Sequence, residues 1–200
     1  MSVISLKTKQ KYGTLLAGNA FFMPSAFESI ATATGTGSNT SITFSSIPST
    51  YKHLQIRTLY RDTNTPGTTR QTLGVEFNGS GGTNYSVHHL RGTGSTTVAA
   101  GFANYPYITV ECAGAAGNTT SNVYGVAVID IHDYASSTKN KTVRYFSGIN
   151  DNTTTDGSQG VVIGSGAWNQ TAAITSIKLT CGDTAFASGC VFALYGIKGA

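Results

Sequence analysis

The sequence predicts an all-β protein, a β-sandwich or jelly-roll-like body preceded by an extended N-terminal arm. Three observations carry that expectation. Apolar runs of strand length recur from residue 41 onward, each bounded by Gly, Ser, Thr or Asn, while helical periodicity over windows of about 11 residues is absent. Charged residues make up only 11% of the chain, against about 25% in an ordinary domain, so hydroxyl and amide groups must cover the surface. Finally, the first 27 residues, MSVISLKTKQKYGTLLAGNAFFMPSAF, differ in character: they hold Lys7, Lys9 and Lys11, no acid, and the apolar side chains Leu15, Leu16, Phe21, Phe22 and Met23.

Taken in order, SITFSSI at 41–47 leads into KHLQIRTLY at 52–60. There, period-2 alternation puts Leu54, Ile56, Thr58 and Tyr60 on one face and His53, Gln55 and Arg57 on the other. QTLGVEF at 71–77 turns Leu73, Val75 and Phe77 inward, and Asn78-Gly79 follows as a tight-turn signal because both residues tolerate positive φ. YSVHHL (85–90), PYITVEC (106–112), VYGVAVIDI (123–131), KTVRYFSGI (141–149), GVVIGSG (160–166), ITSIKLT (174–180) and CVFALYGI (190–197) complete a series of roughly ten strands, the number of a sandwich or jelly roll. Two segments, 123–131 and 191–197, are apolar on both faces, as strands are that lie beneath another layer or at a subunit contact. The Gly/Thr/Ser/Asn stretches at 33–40, 62–70, 79–84, 92–97, 113–122 and 150–158 read as loops. The one boundary falls between an arm, 1–27, and a body, 28–200.

A chain of 200 residues buries roughly 70% of its unfolded surface and needs no staples. Its net charge of +4 does not describe a nucleic-acid binder: three of the 13 Lys and Arg lie in the arm, which leaves 10 against all 9 acids in the body. No run of about 20 apolar residues is present to cross a membrane as a helix, and the apolar stretch from Leu15 to Met23 is broken by Gly18 and Asn19, unlike a cleavable signal. Synthesis in a cytoplasm follows, and the three cysteines, Cys112, Cys181 and Cys190, fit reducing conditions. Cys181 and Cys190 bracket a terminal hairpin loop and can bridge only if their β-carbons lie about 3.5–4.5 Å apart, which the sequence leaves open.

Candidate chemistry is sparse. His88 and His89 are adjacent in a strand and point to opposite faces, so they cannot share a metal ion. Asp130 and His132 share a face, but DIHDY reads as a strand ending in acids that cap its turn. Ser165 in GVVIGSGAW lacks the G-x-S-x-G spacing and the helix that makes a nucleophile elbow. Cys112 has no basic neighbour in sequence and reads as a buried small hydrophobe. Glu76, Glu111 and Asp130 fall on separate strands, so no glycosidase pair is evident. Tyr85, Tyr105, Tyr107, Tyr124 and Trp168 are candidate glycan platforms or interface aromatics, weighed against ordinary packing. No enzyme activity, metal or other cofactor is expected.

FESIATATGTGSNTSITFSSIPSTYKHLQIR at 27–57, FNGSGGTNYSVHHL at 77–90, VIDIHDYASSTKNKTVRYFSG at 128–148, WNQTAAITSIKLT at 168–180 and the terminal FALYGIKGA resemble, in that order and spacing, virion structural proteins of tailed bacteriophages, especially those of cyanobacterial and aquatic hosts. The arm phrase SLKTKQKYGTLLAGNAFF resembles the N-terminal extension of such proteins. The resemblance implies a place on the virion and no catalytic residue set. The leading expectation is a capsid decoration, or cement, protein. Its arm runs along the major capsid protein, Lys7, Lys9 and Lys11 against acidic groups and Leu15, Leu16, Phe21, Phe22 and Met23 in apolar pockets, while the body forms a homotrimer over a local threefold point. The alternative is a module of a tail or head fibre that recognises a host surface glycan. Neither reading involves a membrane or specific nucleic acid.

Overall fold

The computed structural model describes residues 26–63, 70–116, 120–151, 159–182 and 184–199. The arm residues Lys7, Lys9, Lys11, Leu15, Leu16, Phe21, Phe22 and Met23 lie outside them. Among the described residues there are twelve strands and no helix: β1 (Phe27–Thr34), β2 (Ser41–Phe44), β3 (His53–Tyr60), β4 (Arg70–Phe77), β5 (Tyr85–Gly92), β6 (Thr97–Tyr105), β7 (Ile108–Ala115), β8 (Gly125–His132), β9 (Lys141–Ile149), β10 (Gly160–Trp168), β11 (Ile177–Thr180) and β12 (Val191–Ile197). Every strand expected from alternation is present, and β1 and β6 are additional.

The strands form two antiparallel sheets, an eight-stranded one in the order β1-β12-β3-β8-β9-β10-β5-β6 and a four-stranded one in the order β2-β11-β4-β7. Setting aside the hairpins β5–β6 and β9–β10 leaves eight strands in two sheets of four, β1-β12-β3-β8 facing β2-β11-β4-β7. That order is the jelly roll. The two hairpins are insertions that continue the first sheet, β9 pairing with β8 and β10 with β5.

The core forms where the alternation of the two sheets meets. Leu54, Ile56 and Tyr60 from β3, Ile129 and Ile131 from β8, and Val143 from β9 face Leu73, Val75 and Phe77 from β4 and Ile108 and Val110 from β7, all buried. Thr58 is buried in the same phase, and its Oγ1 accepts the Ala127 N–H at 3.0 Å, which satisfies a hydroxyl that would otherwise be costly there. Two aromatic clusters close the ends. Trp168 stacks on Tyr85 at 6.2 Å and meets Phe77 edge-on at 5.6 Å; Tyr60, Phe186 and Phe192 pack at the other end, with Phe186 and Phe192 4.7 Å apart. Each such ring removes roughly 150–250 Å² from water.

Of the three register shifts between paired strands, that of β1 with β12 falls between Ser29 and Ala31, and the other two each hold a residue at positive φ. Asn104, at φ 56°, takes up the register shift between β5 and β6, and Cys112, at φ 50°, takes up that between β4 and β7. Cys112 is fully buried, and burial pushes its thiol up to about 11, in keeping with a packing role. Cys181 and Cys190 are both free thiols: Cys181 Sγ bonds the Thr184 carbonyl at 3.1 Å and Cys190 Sγ the Arg61 carbonyl at 2.9 Å.

Candidate functional site

Strand alternation that fills the core from one face of the large sheet must point the intervening residues outward, and here many of those are apolar. Leu59, Leu90, Val126, Phe146, Val161 and Ile163 are each 39–61% exposed. Register gathers them into two rows across the sheet. The first runs Val191, Leu59, Val126, Gly148, Val161, Gly92; the second runs Ala193, Arg57, Val128, Phe146, Ile163, Leu90. The six exposed side chains offer about 600 Å² of apolar surface, at the upper limit of the largest patch on an ordinary monomer.

A third row, one pleat further along the strands, is polar: Tyr195, Gln55, Asp130, Arg144, Ser165, His88. On its β3–β8 side the groups satisfy one another, since Gln55 Nε2 donates to Asp130 Oδ1 at 2.8 Å and Arg57 Nε donates to Gln55 Oε1 at 2.8 Å. The Arg57 guanidinium also lies 5.6 Å from the Tyr195 ring centre. Arg144 stands beside Asp130 in register, yet among the described residues it makes no ion pair. A concavity of about 580 Å³ opens next to it, walled by His88, Leu90, Arg144, Ile163 and Ser165. Gly101 keeps this hollow open: the His88 ring lies across it, and a Cβ there would sit 2.5 Å from His88 Cδ2.

The aromatic candidates divide. Tyr85 and Trp168 are core residues, which corrects the reading of them as glycan or interface platforms. Tyr85 Oη accepts the Phe77 N–H at 2.8 Å and Trp168 Nε1 donates to Ser80 Oγ at 3.0 Å, so even their polar tips are used internally. Tyr124 is half-buried and donates to the Ser188 carbonyl at 3.0 Å. Tyr105 and Tyr107 do come together, edge to face at 5.8 Å, with Phe102 5.5 Å from Tyr105, where the inserted hairpin reaches the sheet edge.

The remaining candidates sit as follows. His88 faces outward and His89 inward, where it is buried. Asp130 is held by Gln55, and the His132 ring meets His53 at 5.0 Å. Asp133 lies between Lys52 (2.8 Å) and Lys139 (2.9 Å), whose hydrogen bonds hold its carboxyl well below the usual range. Glu76, Glu111 and Asp130 stand on β4, β7 and β8. Among the described residues no three metal-ligating side chains converge.

Sequence reasoning marked β8 and β12 as apolar on both faces but missed that β9, β10 and β5 continue the same belt. The signal was present in TVRYFSG and GVVIG, where Phe146, Val161 and Ile163 stand out of phase with the buried Val143, Tyr145 and Val162. Comparison with known proteins finds no matching family model and no matching curated protein.

Proposed function

We propose that this chain is a structural protein of a tailed-phage virion, a capsid decoration protein that fastens to the shell through residues 1–27 and carries its jelly roll outside. The observation that carries an assembling, structural role is the apolar belt on the large sheet, set in a surface otherwise built of hydroxyls, amides and few ions. A face of that kind is favourable only when covered. The order and spacing of the sequence segments that resemble phage virion proteins supply the rest. Partners are the major capsid protein, or another virion protein, for the arm, and further copies of this chain for the belt.

Docking of the arm would bury Leu15, Leu16, Phe21, Phe22 and Met23, and repetition across a shell would multiply contacts that are individually weak. Truncation tests this. A variant lacking residues 1–26 is expected to fold and remain soluble but to be absent from particles; unchanged occupancy would rule out the docking role.

A second reading, a fibre module that binds host glycan, draws on the Tyr105, Tyr107 and Phe102 edge and on the His88–Arg144 hollow. Copy number in purified particles separates the two. Hundreds of copies fit decoration, whereas a few tens fit a fibre.

A further inference from the structure

We infer that the outer face of the eight-stranded sheet is covered by the same face of a second copy, around a twofold axis that runs parallel to the strands between β8 and β9. This deepens the reading of the belt as a contact between copies and rests on it.

The midline of the order β1-β12-β3-β8-β9-β10-β5-β6 falls between β8 and β9. An axis there overlays the two sheets completely, the jelly-roll half of one copy on the inserted half of the other. Because the axis is parallel to the strands, it preserves height along them, so each transverse row meets the same row of its partner. Two sheets packed in this way are aligned, the common arrangement of sandwich layers.

The registered residues then decide whether the match is good. In the polar row Asp130 meets the partner's Arg144, and by symmetry Arg144 meets the partner's Asp130, which gives the free guanidinium a carboxylate in each half of the contact. At four positions of the apolar rows a larger group meets a smaller one: Val126 meets the partner's Gly148, Phe146 the partner's Val128, Leu90 the partner's Ala193 and Val191 the partner's Gly92; at the other two Leu59 meets the partner's Val161, and Arg57, held by Gln55 and Tyr195, meets the partner's Ile163. Tyr195 comes over the His88 hollow, a concavity of about 580 Å³ that suits a ring.

A twofold axis along the rows instead of the strands would also bury the belt, but it would leave Asp130 and Arg144 unpaired. Charge therefore selects the first arrangement over that one. The apolar area of about 600 Å², with its polar flank, approaches the roughly 800 Å² per partner of a stable interface.

The experiment is sedimentation or light scattering of the full chain, 20.8 kDa as a monomer, combined with charge reversal. Association as a dimer is expected. Asp130→Arg and Arg144→Asp are each expected to raise the dissociation constant by about tenfold or more, and the double variant to restore it to within about threefold of the original. Gly92→Leu provides a variant with room in the monomer, because a Cβ at Gly92 meets no atom of the described residues within 4 Å. It is expected to weaken the dimer through Val191 of the other copy while its thermal unfolding as a monomer stays cooperative.

A monomeric full chain would overturn both this inference and the reading of the belt as a contact between copies, and would give the face to the arm or to another virion protein. An oligomer weakened by Gly92→Leu but indifferent to charge reversal, or a trimer weakened by either, would retain the belt as a contact and overturn the twofold register alone, whereas an oligomer indifferent to all of these substitutions would overturn both.

Discussion

At the residue scale the most consequential side chain is one that composition suggests is a surface cation. Lys141 opens β9 fully buried, and its Nζ donates to the carbonyls of Ser136 (2.8 Å), Lys139 (2.7 Å) and Thr171 (3.0 Å). One ammonium thus ties the turn after β8 to the segment after β10. Burial pulls its pKa below the ordinary value, but three acceptors hold the charge. Lys141→Met removes the donor and leaves three carbonyls without it, so a loss of about 3 kcal/mol is expected, read as a lower urea midpoint at unchanged slope. His53 supplies a second residue-level test. Its Nδ1 accepts the Asp133 N–H at 3.1 Å, and burial, then the neighbouring His132, lower its pKa from the ordinary 6.5. The unfolded chain therefore takes up this proton first as pH falls, so stability declines from pH 6.5 downward until the folded-state pKa is passed. Asp133, whose carboxyl is lowered by Lys52 and Lys139, loses its contribution separately, as pH falls below the ordinary carboxylate value of 3.8. Thermal midpoints against pH should show both steps, and His53→Asn should remove the upper one while sparing the lower.

At the scale of elements, the strands that alternation locates are the ones the fold buries best. Leu54, Ile56, Thr58 and Tyr60 of β3 and Leu73, Val75 and Phe77 of β4 face the core in the phase the sequence implies. The two strands that escaped detection, β1 and β6, are the two edges of the eight-stranded sheet, where cover is partial and selection for apolar alternation is weak. TVAAGFANY in β6 is therefore mostly Ala, Gly and exposed positions, and FESIATAT in β1 mixes exposed with half-buried positions and has none fully buried. The sequence left Tyr85 and Trp168 open between packing and a surface role because an aromatic beside a loop reads the same facing in or out. Their phase was nonetheless informative, since each shares a face with a buried valine, Val87 and Val162. Glycines within strands carried a meaning of their own. Gly164 of β10 is paired with Tyr145 of β9, whose ring covers it, and a Cβ at position 164 would lie 2.1 Å from the ring's Cζ. Gly164→Ala is expected to cost about 1–3 kcal/mol through this overlap. Tyr145→Leu made in the same chain should recover part of the loss, a coupling that a double-mutant cycle measures and that an intrinsic preference for glycine in the strand would not produce.

At the scale of the whole molecule, an all-β sandwich or jelly roll was legible because about ten short elements with polar connections leave few other architectures, but the pairing that makes it a jelly roll was not. Which strand lies beside which depends on contacts between segments far apart in the chain, such as β1 with β12 and β5 with β10. The outer belt was half legible for the same reason: each strand reveals its own two faces, and only register shows that five strands present one continuous surface. The molecule's charge distribution yields a final expectation. Its body carries 10 basic against 9 acidic residues, and the arm adds three lysines beside five large apolar side chains. If burial of Leu15, Leu16, Phe21, Phe22 and Met23 dominates attachment, raising salt to about 1 M, where the screening length shrinks to about 3 Å, should release only a small fraction of the protein from particles. Substituting Phe21 and Phe22 by Ser should release most of it at any salt. Complete release at about 0.2 M salt would instead assign attachment to Lys7, Lys9 and Lys11, because contacts between exposed charges are the ones that screening at that strength removes.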